Sequence, residues 1–347
     1  MILRHLRRLA RDWFLIGMIS AVALATLAPD LGRSGGLLHA DVAGNIGIFA
    51  VFFLHGIGLS TEKLKAGFTR WKLHATIQVF TFCVFPLLWL AFRAAFRGAI
   101  PSHLMLGFLY LAALPSTISS SVAMTGIARG NVAGAIFNAT LSSLLGVFFT
   151  PFIVSVGAGD AGGQLSLADA MLKIAGLLVL PLVVGQVLRP AFGARFARYK
   201  PYTNVFDRCV ILLLVFVSFC DSVRAGLWTN YGVGTIATTA AGAGAFLAVV
   251  LFLTRRTARW LGFDTEDEIA VVFCGSKKTL ASGVPMAKLL FGAHPGLGVI
   301  VLPIMFYHQL QLLVCSVLAD RYARRPLEPV APTDDHTDEE EPRRATA

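Results

Sequence analysis

Residues 267–291 read DEIAVVFCGSKKTLASGVPMAKLLF. The stretch begins as an ordinary apolar run. It then places Lys277 and Lys278 about ten residues in, roughly 15 Å deep at 1.5 Å of helical rise per residue. Intramembrane charges are costly and mark a pathway or a pair. Snorkelling to the near surface would be the bland explanation, and the depth argues against it. Ser276, Thr279 and Ser282 flank the lysines, and Gly283 and Pro285 follow. Proline suits the first turn of a helix, so Pro285 suits the start of a second half-helix. The reading is a membrane helix broken near its middle.

The rest of the chain supplies the membrane. Of 347 residues, 56% are hydrophobic and 14% charged, with a mean hydropathy of +0.69. Soluble domains carry about a quarter charged residues. The apolar runs are too long and too uniform for barrel strands, which alternate, so the spans are helical. Ten runs are read, at about 13–30, 44–60, 72–92, 103–128, 131–156, 167–188, 203–223, 232–254, 267–291 and 297–319. The net charge of +10 lies mostly between these runs, which argues for topology control and against nucleic acid. With the N-terminus inside, the inner segments hold 19 basic residues. These run from Arg4 through Lys63, Arg129, Arg189 and Arg255 to Arg325. The outer segments hold four: Arg33, Arg93, Arg97 and Arg224. That asymmetry follows the positive-inside rule and places both termini on the cytoplasmic side of a bacterial inner membrane. The first run has no convincing cleavage site for a signal peptide. The five cysteines all lie in apolar runs without metal-ligand spacing, which reads as free buried thiols.

Residues 1–12 read as a basic N-terminal tail, and 326–347 as a disordered acidic C-terminal tail. Between them, 13–158 and 165–322 each hold five runs. An odd number forces the halves to run in opposite directions, giving a 5+5 inverted-topology repeat. Leu114–Gly126 reads LPSTISSSVAMTG and Cys274–Met286 reads CGSKKTLASGVPM. These small, polar, proline-bearing stretches fall at matched places in the fourth and ninth runs. Pro115 removes a helical hydrogen bond and disfavours helix at Leu114. Broken helices free carbonyls for cations and expose positive N-termini to anions. The expectation is that the two breaks bring hydroxyls and lysine together at one water-accessible pocket.

The candidate substrate- or ion-binding residues are therefore Ser116, Thr117, Ser120 and Ser121 in the fourth run, with Ser276, Lys277, Lys278, Thr279 and Ser282 in the ninth. Gln78, Asn138 and Thr140 join them from the third and fifth runs, and His308, Gln309 and Gln311 from the tenth. Each amide in lipid needs a partner and should face the bundle interior, as ligand or as interhelical glue. No carboxylate falls near the middle of any run, so a sodium site would rely on neutral oxygens. No catalytic constellation is present: GSKKT lacks the spacing of a phosphate loop, and a Ser276–Lys278 nucleophile pair has no supporting group. The chain does not read as an enzyme.

These motifs resemble the bile acid:sodium symporter family over about residues 10–322. The likeness is to the branch of its orphan seventh human member and that member's bacterial homologues. MTGIARGNVAGA at Met124–Ala135, SKKTLASGVPM at Ser276–Met286 and YHQLQ at Tyr307–Gln311 carry it. The resemblance implies a panel domain of spans 1, 2, 6 and 7 and a core domain of spans 3–5 and 8–10. It implies that spans 4 and 9 cross where they break, with substrate between core and panel and sodium behind the crossing. Matched position by position, Gln78, Ser121 and either Thr140 or Ser142 would be weak sodium ligands. The family's span-9 glutamate, glutamine and asparagine become Ser276, Leu280 and Ala281, and its span-4 asparagine becomes Val122. The carboxylate is replaced while lysines stand beside it, which calls sodium coupling into question.

The ammonium of Lys277 or Lys278 would then occupy the cation region as a fixed charge. Alternatively, one of them faces the substrate cavity and pairs with an organic anion. The function so read is secondary transport of a small organic solute, expected to be anionic, by alternating access. No cofactor is implied beyond possible coupling to sodium or protons, and no oligomer is required. The rival reading is a membrane regulator or receptor that binds without transporting.

Overall fold

The computed structural model describes residues 13–33, 35, 36, 38–58, 70–158, 172, 176, 179–197, 199–224, 232–292, 294 and 296–325. The two tails read from the sequence lie outside these residues. Among the described residues the secondary structure is helical, with no strand. In chain order the helices are α1 (Trp13–Leu27), α2 (Pro29–Gly32), α3 (Ala40–Gly58) and α4 (Trp71–Val79). A π-turn at Phe80–Val84 leads into α5 (Phe85–Ala95). Then come α6 (Ser102–Ala113), α7 (Ser119–Ile127), α8 (Val132–Ala158), α9 (Leu180–Ala197) and α10 (Lys200–Arg224). The last are α11 (Val233–Trp260), α12 (Thr265–Gly275), α13 (Gly283–Phe291) and α14 (Leu297–Ala323). Among the described residues four stretches are long and apolar enough to cross a bilayer: Trp71–Ala95, Val132–Ala158, Gly234–Trp260 and Leu297–Ala323. Large apolar side chains face outward, including Leu87, Val187 and Phe252, as they do where lipid is the solvent. The chain is a multi-pass membrane protein.

Three interruptions set the geometry. The helix of the fourth run stops at Ala113 and resumes at Ser119. Leu114 is extended, at φ −68° and ψ 150°, as the proline after it requires. The helix of the ninth run stops at Gly275 and resumes at Gly283, two residues before Pro285. The third interruption was not legible as such: the third run, read as 72–92, contains the π-turn. There the Phe85 N–H reaches back to Phe80 O. The next residue, Pro86, has no N–H, so the register cannot propagate and the Thr81 carbonyl is left without a helical partner.

The helices pack as two groups. In one, α3 lies against α9, and α10 lies against α1, α2 and α3. The α3–α9 approach is closed by glycines. A Cβ on Gly56 would sit 2.2 Å from Leu182 O, and one on Gly185 would sit 2.3 Å from Phe53 O. Small residues permit this backbone-to-backbone contact in membranes. In the other group α6 lies against α14 and α8, and α11 lies against α12 and α14. The groups meet where α10 touches α13 and α14.

One end of the second group is tied by charge. Arg70 reaches Asp264 at 3.2 Å and Asp267 at 2.5 Å, and Asn131 donates to Asp267 at 2.7 Å. Asp264 also caps α12, accepting from the Asp267 N–H. Glu268 accepts from Arg259 at 2.9 Å and Tyr322 at 2.7 Å, and lies 3.4 Å from Arg255. Arg325 donates to Ala128 O and Arg129 O. The start of α12 is thereby fastened to α4, α8, α11 and α14.

Candidate functional site

The two breaks meet. Thr279 N–H donates to Pro115 O at 3.0 Å, so the irregular segments touch backbone to backbone. Three carbonyls at the end of α6 are answered by side chains. Ala112 O and Leu114 O accept from Lys278 Nζ at 2.8 and 2.6 Å. Ala113 O accepts from Thr150 Oγ1 at 2.9 Å. Ser116 N–H donates to Ser142 Oγ at 2.9 Å, and Ser116 Oγ donates to Cys274 O at 2.6 Å. On the other break, Tyr307 OH donates to Ser276 O at 2.6 Å and Tyr110 OH donates to Gly283 O. The Gln311 amide clamps the peptide groups of Lys278, accepting from its N–H and donating to its carbonyl, both at 2.8 Å. Buried backbone groups in lipid have no water to fall back on, so side chains take over the role of the missing helix.

Packing allows the crossing to form. A Cβ on Gly146 would lie 2.7 Å from Pro115 Cγ, so α8 presents bare backbone to the proline ring. Ser121 Oγ donates to Phe273 O at 3.2 Å and shares a hydrogen bond with Thr117 Oγ1 at 2.8 Å. Thr117 also pairs with Ser120 Oγ at 2.8 Å. Lys277 Nζ donates to Ser120 O at 2.8 Å and lies 5.5 Å from the Phe273 ring centroid.

Of the residues predicted from sequence, Ser116, Thr117, Ser120, Ser121, Ser276, Lys277, Lys278, Thr279 and Gln311 gather here. The expectation of a water-accessible pocket is corrected. Ser116, Ser121, Ser276, Lys277, Lys278 and Gln311 are all 0% exposed, because their polar groups are spent on the broken backbones. Only the rims are open. Ser119 is exposed, Ser120 and Ser282 are half-buried, and neither α7 nor α13 has a side-chain cap at its N-terminus.

Gln78, Asn138 and His74 form a separate set. Gln78 Nε2 donates to Asn138 O and Oδ1 at 3.2 Å, and Asn138 Nδ2 lies 2.8 Å from His74 Nδ1. The Thr140 hydroxyl is turned back to Ile136 O at 2.9 Å. The weak sodium candidates Gln78, Ser121 and Thr140 thus share no hydrogen bond with one another. Both hydroxyls among them are engaged, and Gln78 Oε1 alone has no partner. This is a poor preformed sodium cage. His308 lies 3.0 Å from Gln311 Nε2 and edge-on to Phe14 of α1. The expectation that every membrane amide finds a partner fails at Gln309, whose buried oxygen and nitrogen both lack one. It sits about 200° around α14 from Tyr307, at 100° per residue, away from the crossing.

Sequence reasoning missed Thr81, Phe85, Tyr110 and Thr150, which serve the crossing through one carbonyl, a ring and two hydroxyls. It also passed over Lys288, an intramembrane lysine visible in the sequence. Its Nζ lies 3.5 Å from where a Cβ on Gly44 would stand, so it bridges from α13 to α3 between the two helix groups.

A curated Pseudomonas aeruginosa protein of uncharacterized function is 46% identical over 318 residues, covering 92% of this chain and 95% of its own length. YfeH of Escherichia coli, named as a symporter, is 39% identical over 316 residues, with 90% and 93% covered. Sodium/bile acid cotransporter 7 of Danio rerio is 31% identical over 322 residues, again with 90% and 93% covered. The family model of the SBF-like CPA transporters matches residues 12–324. The chain therefore belongs to the SBF-like CPA transporter family and is a membrane transporter.

Proposed function

We propose that the chain is a ten-span, 5+5 inverted-repeat secondary transporter that moves a small organic anion by alternating access. The core would comprise α4–α8 and α11–α14, and the panel α1–α3, α9 and α10. Both termini are assigned to the cytoplasmic side of the inner membrane, on the positive-inside asymmetry.

The observation that carries the anionic assignment is the uncapped half-helix N-terminus of α7 at the rim of the crossing. Its first N–H groups carry partial positive charge with no side-chain acceptor, and such ends favour anions. Ser119, Ser120 and Ser282 offer hydroxyls at the rim, and Lys288 stands at the junction with α3. The buried amide of Gln309, left without a partner, adds a further group that a solute could satisfy once the helix groups separate.

The test is uptake into proteoliposomes of a panel of labelled small carboxylates and sulfonates, with neutral and cationic analogues alongside. Anion uptake that saturates and is lost in Ser119→Leu supports the reading. Uptake restricted to neutral or cationic solutes would end it. Saturable solute binding in detergent, without uptake under any gradient, would select the receptor reading instead.

A further inference from the structure

We infer that the ammonium of Lys278 is a built-in monovalent cation: it fills a carbonyl cage at the crossing and makes the core independent of sodium. The inference deepens the transport reading and rests on it only for what it says about coupling. The cage itself stands on geometry.

Lys278 Nζ donates to three backbone carbonyls, Thr81 O at 2.8 Å, Ala112 O at 2.8 Å and Leu114 O at 2.6 Å. Its charge also lies 4.0 Å from the centroid of the Phe85 ring. A neutral amine has two N–H groups, and carbonyls have none to offer in return. Three acceptors therefore require three donors, which only the ammonium supplies. None of the three oxygens has a helical partner to compete for it. Thr81 O is freed by the π-turn and Pro86, and Ala112 O and Leu114 O by the break at Pro115. The carbonyl end of α6 adds the negative pole of a helix, and the ring face adds a cation–π attraction. No carboxylate pairs with the lysine among the described residues. The cage is thus a set of neutral oxygens around one positive charge, which is the donor set of a monovalent-cation site.

The tether gives this cation a property a free ion lacks. Gln311 holds the Lys278 peptide on both sides, and the residue is 0% exposed. The charge cannot leave with a solute, and it cannot meet one. The alternative in which Lys278 pairs with a transported anion is therefore excluded in this conformation. The positive charge at the crossing stays constant through the cycle, and sodium has nothing to add there.

The experiment uses the full chain purified in detergent without solute, so a failure of transport leaves both readouts intact. Wild type should bind no radiolabelled sodium at saturating concentration, and its melting temperature should be equal in sodium, potassium and choline chloride. Lys278→Ala leaves the three carbonyls at the end of an empty volume the size of a propylammonium group. It should melt lower than wild type in choline, whose quaternary nitrogen has no N–H to donate. Sodium or ethylammonium at ten times its dissociation constant should then raise its melting temperature by about 3 °C. Saturable sodium binding by wild type near one ion per chain overturns the inference. So does a folded Lys278→Ala that melts identically in all these salts. Should Lys278→Ala fail to fold in every salt, the wild-type measurement decides alone: sodium bound overturns the inference and none bound supports it.

Discussion

Replacing Gln311 by leucine isolates the amide clamp. The substitution keeps bulk and removes two hydrogen bonds, one from the Lys278 N–H and one to its carbonyl, each 2.8 Å long. Both groups lie in a segment with no helical partner, at a residue that is 0% exposed. Leaving a buried polar group unsatisfied costs about 1–3 kcal/mol, so the pair costs roughly 2–6 kcal/mol. An ordinary interhelical side-chain bond in a membrane protein averages about 0.6 kcal/mol, because the partners find substitutes. The two figures separate the ideas. If the clamp stands in for missing helix, detergent-solubilised Gln311→Leu should melt about 4–12 °C below wild type, taking about 2 °C per kcal/mol for a chain of this size. Ser143→Ala is the control, since that hydroxyl merely bonds back to Ala139 O on its own helix, and its shift should be under about 1 °C. Gln311→Leu melting within 2 °C of wild type would refute the reasoning.

Gly146→Ala drives a methyl to 2.7 Å from Pro115 Cγ; overpacking of this kind costs about 1–3 kcal/mol, and thermal unfolding should show the loss, whereas Gly58→Ala, with nothing within 4 Å, should show none. His294, outside the spans, accepts from the Gly296 N–H through Nδ1 at 2.9 Å, and burial, with the neighbouring His103, holds its pKa below the ordinary value. A depressed histidine disfavours the proton in the folded state, so stability should fall as pH drops below about 6.5, and His294→Gln should flatten that slope between pH 7 and 5. Glu268→Gln removes ion pairs whose arginines are about half exposed, at 49% and 54%. Solvent screening limits such pairs to about 0–1 kcal/mol each, so denaturation in detergent should register a loss under about 2 kcal/mol.

The all-helical membrane class and both breaks were legible because hydropathy, proline and small polar residues are local signals. Pro115 dictates an extended Leu114 wherever it stands, and Lys277 and Lys278 are conspicuous in any apolar run. Which of the two lysines takes which of the two roles read for them was not legible. Nothing local says that Lys278 reaches Thr81, 197 positions away, since backbone carbonyls carry no sequence signature. The π-turn escaped for a related reason: Pro86 announces a missing N–H but not which carbonyl it orphans. The hydroxyls were read as ligands because five of them follow a proline. Ser116 and Ser121 are instead consumed by backbone repair, on Cys274 O and Phe273 O, while Ser119 and Ser120 stay at the rim. The sequence matched Gln78, Ser121 and Thr140 by position alone, and their side chains turn to different partners. Gln309 shows the converse error, an amide expected to be paired that has no partner.

The carbonyls of Thr81, Ala112 and Leu114 all belong to the first half of the chain, and the group that answers them lies in the second. Lys278 follows Leu114 by 164 residues. At a synthesis rate of about 5–20 residues per second, the early helices wait roughly 8–33 s in the bilayer with those oxygens bare. The first half is therefore an unfinished object during biogenesis, held open until the ninth run emerges from the ribosome. A chain truncated after α8 should be a substrate for quality-control proteolysis, and co-expression of the missing half should rescue it.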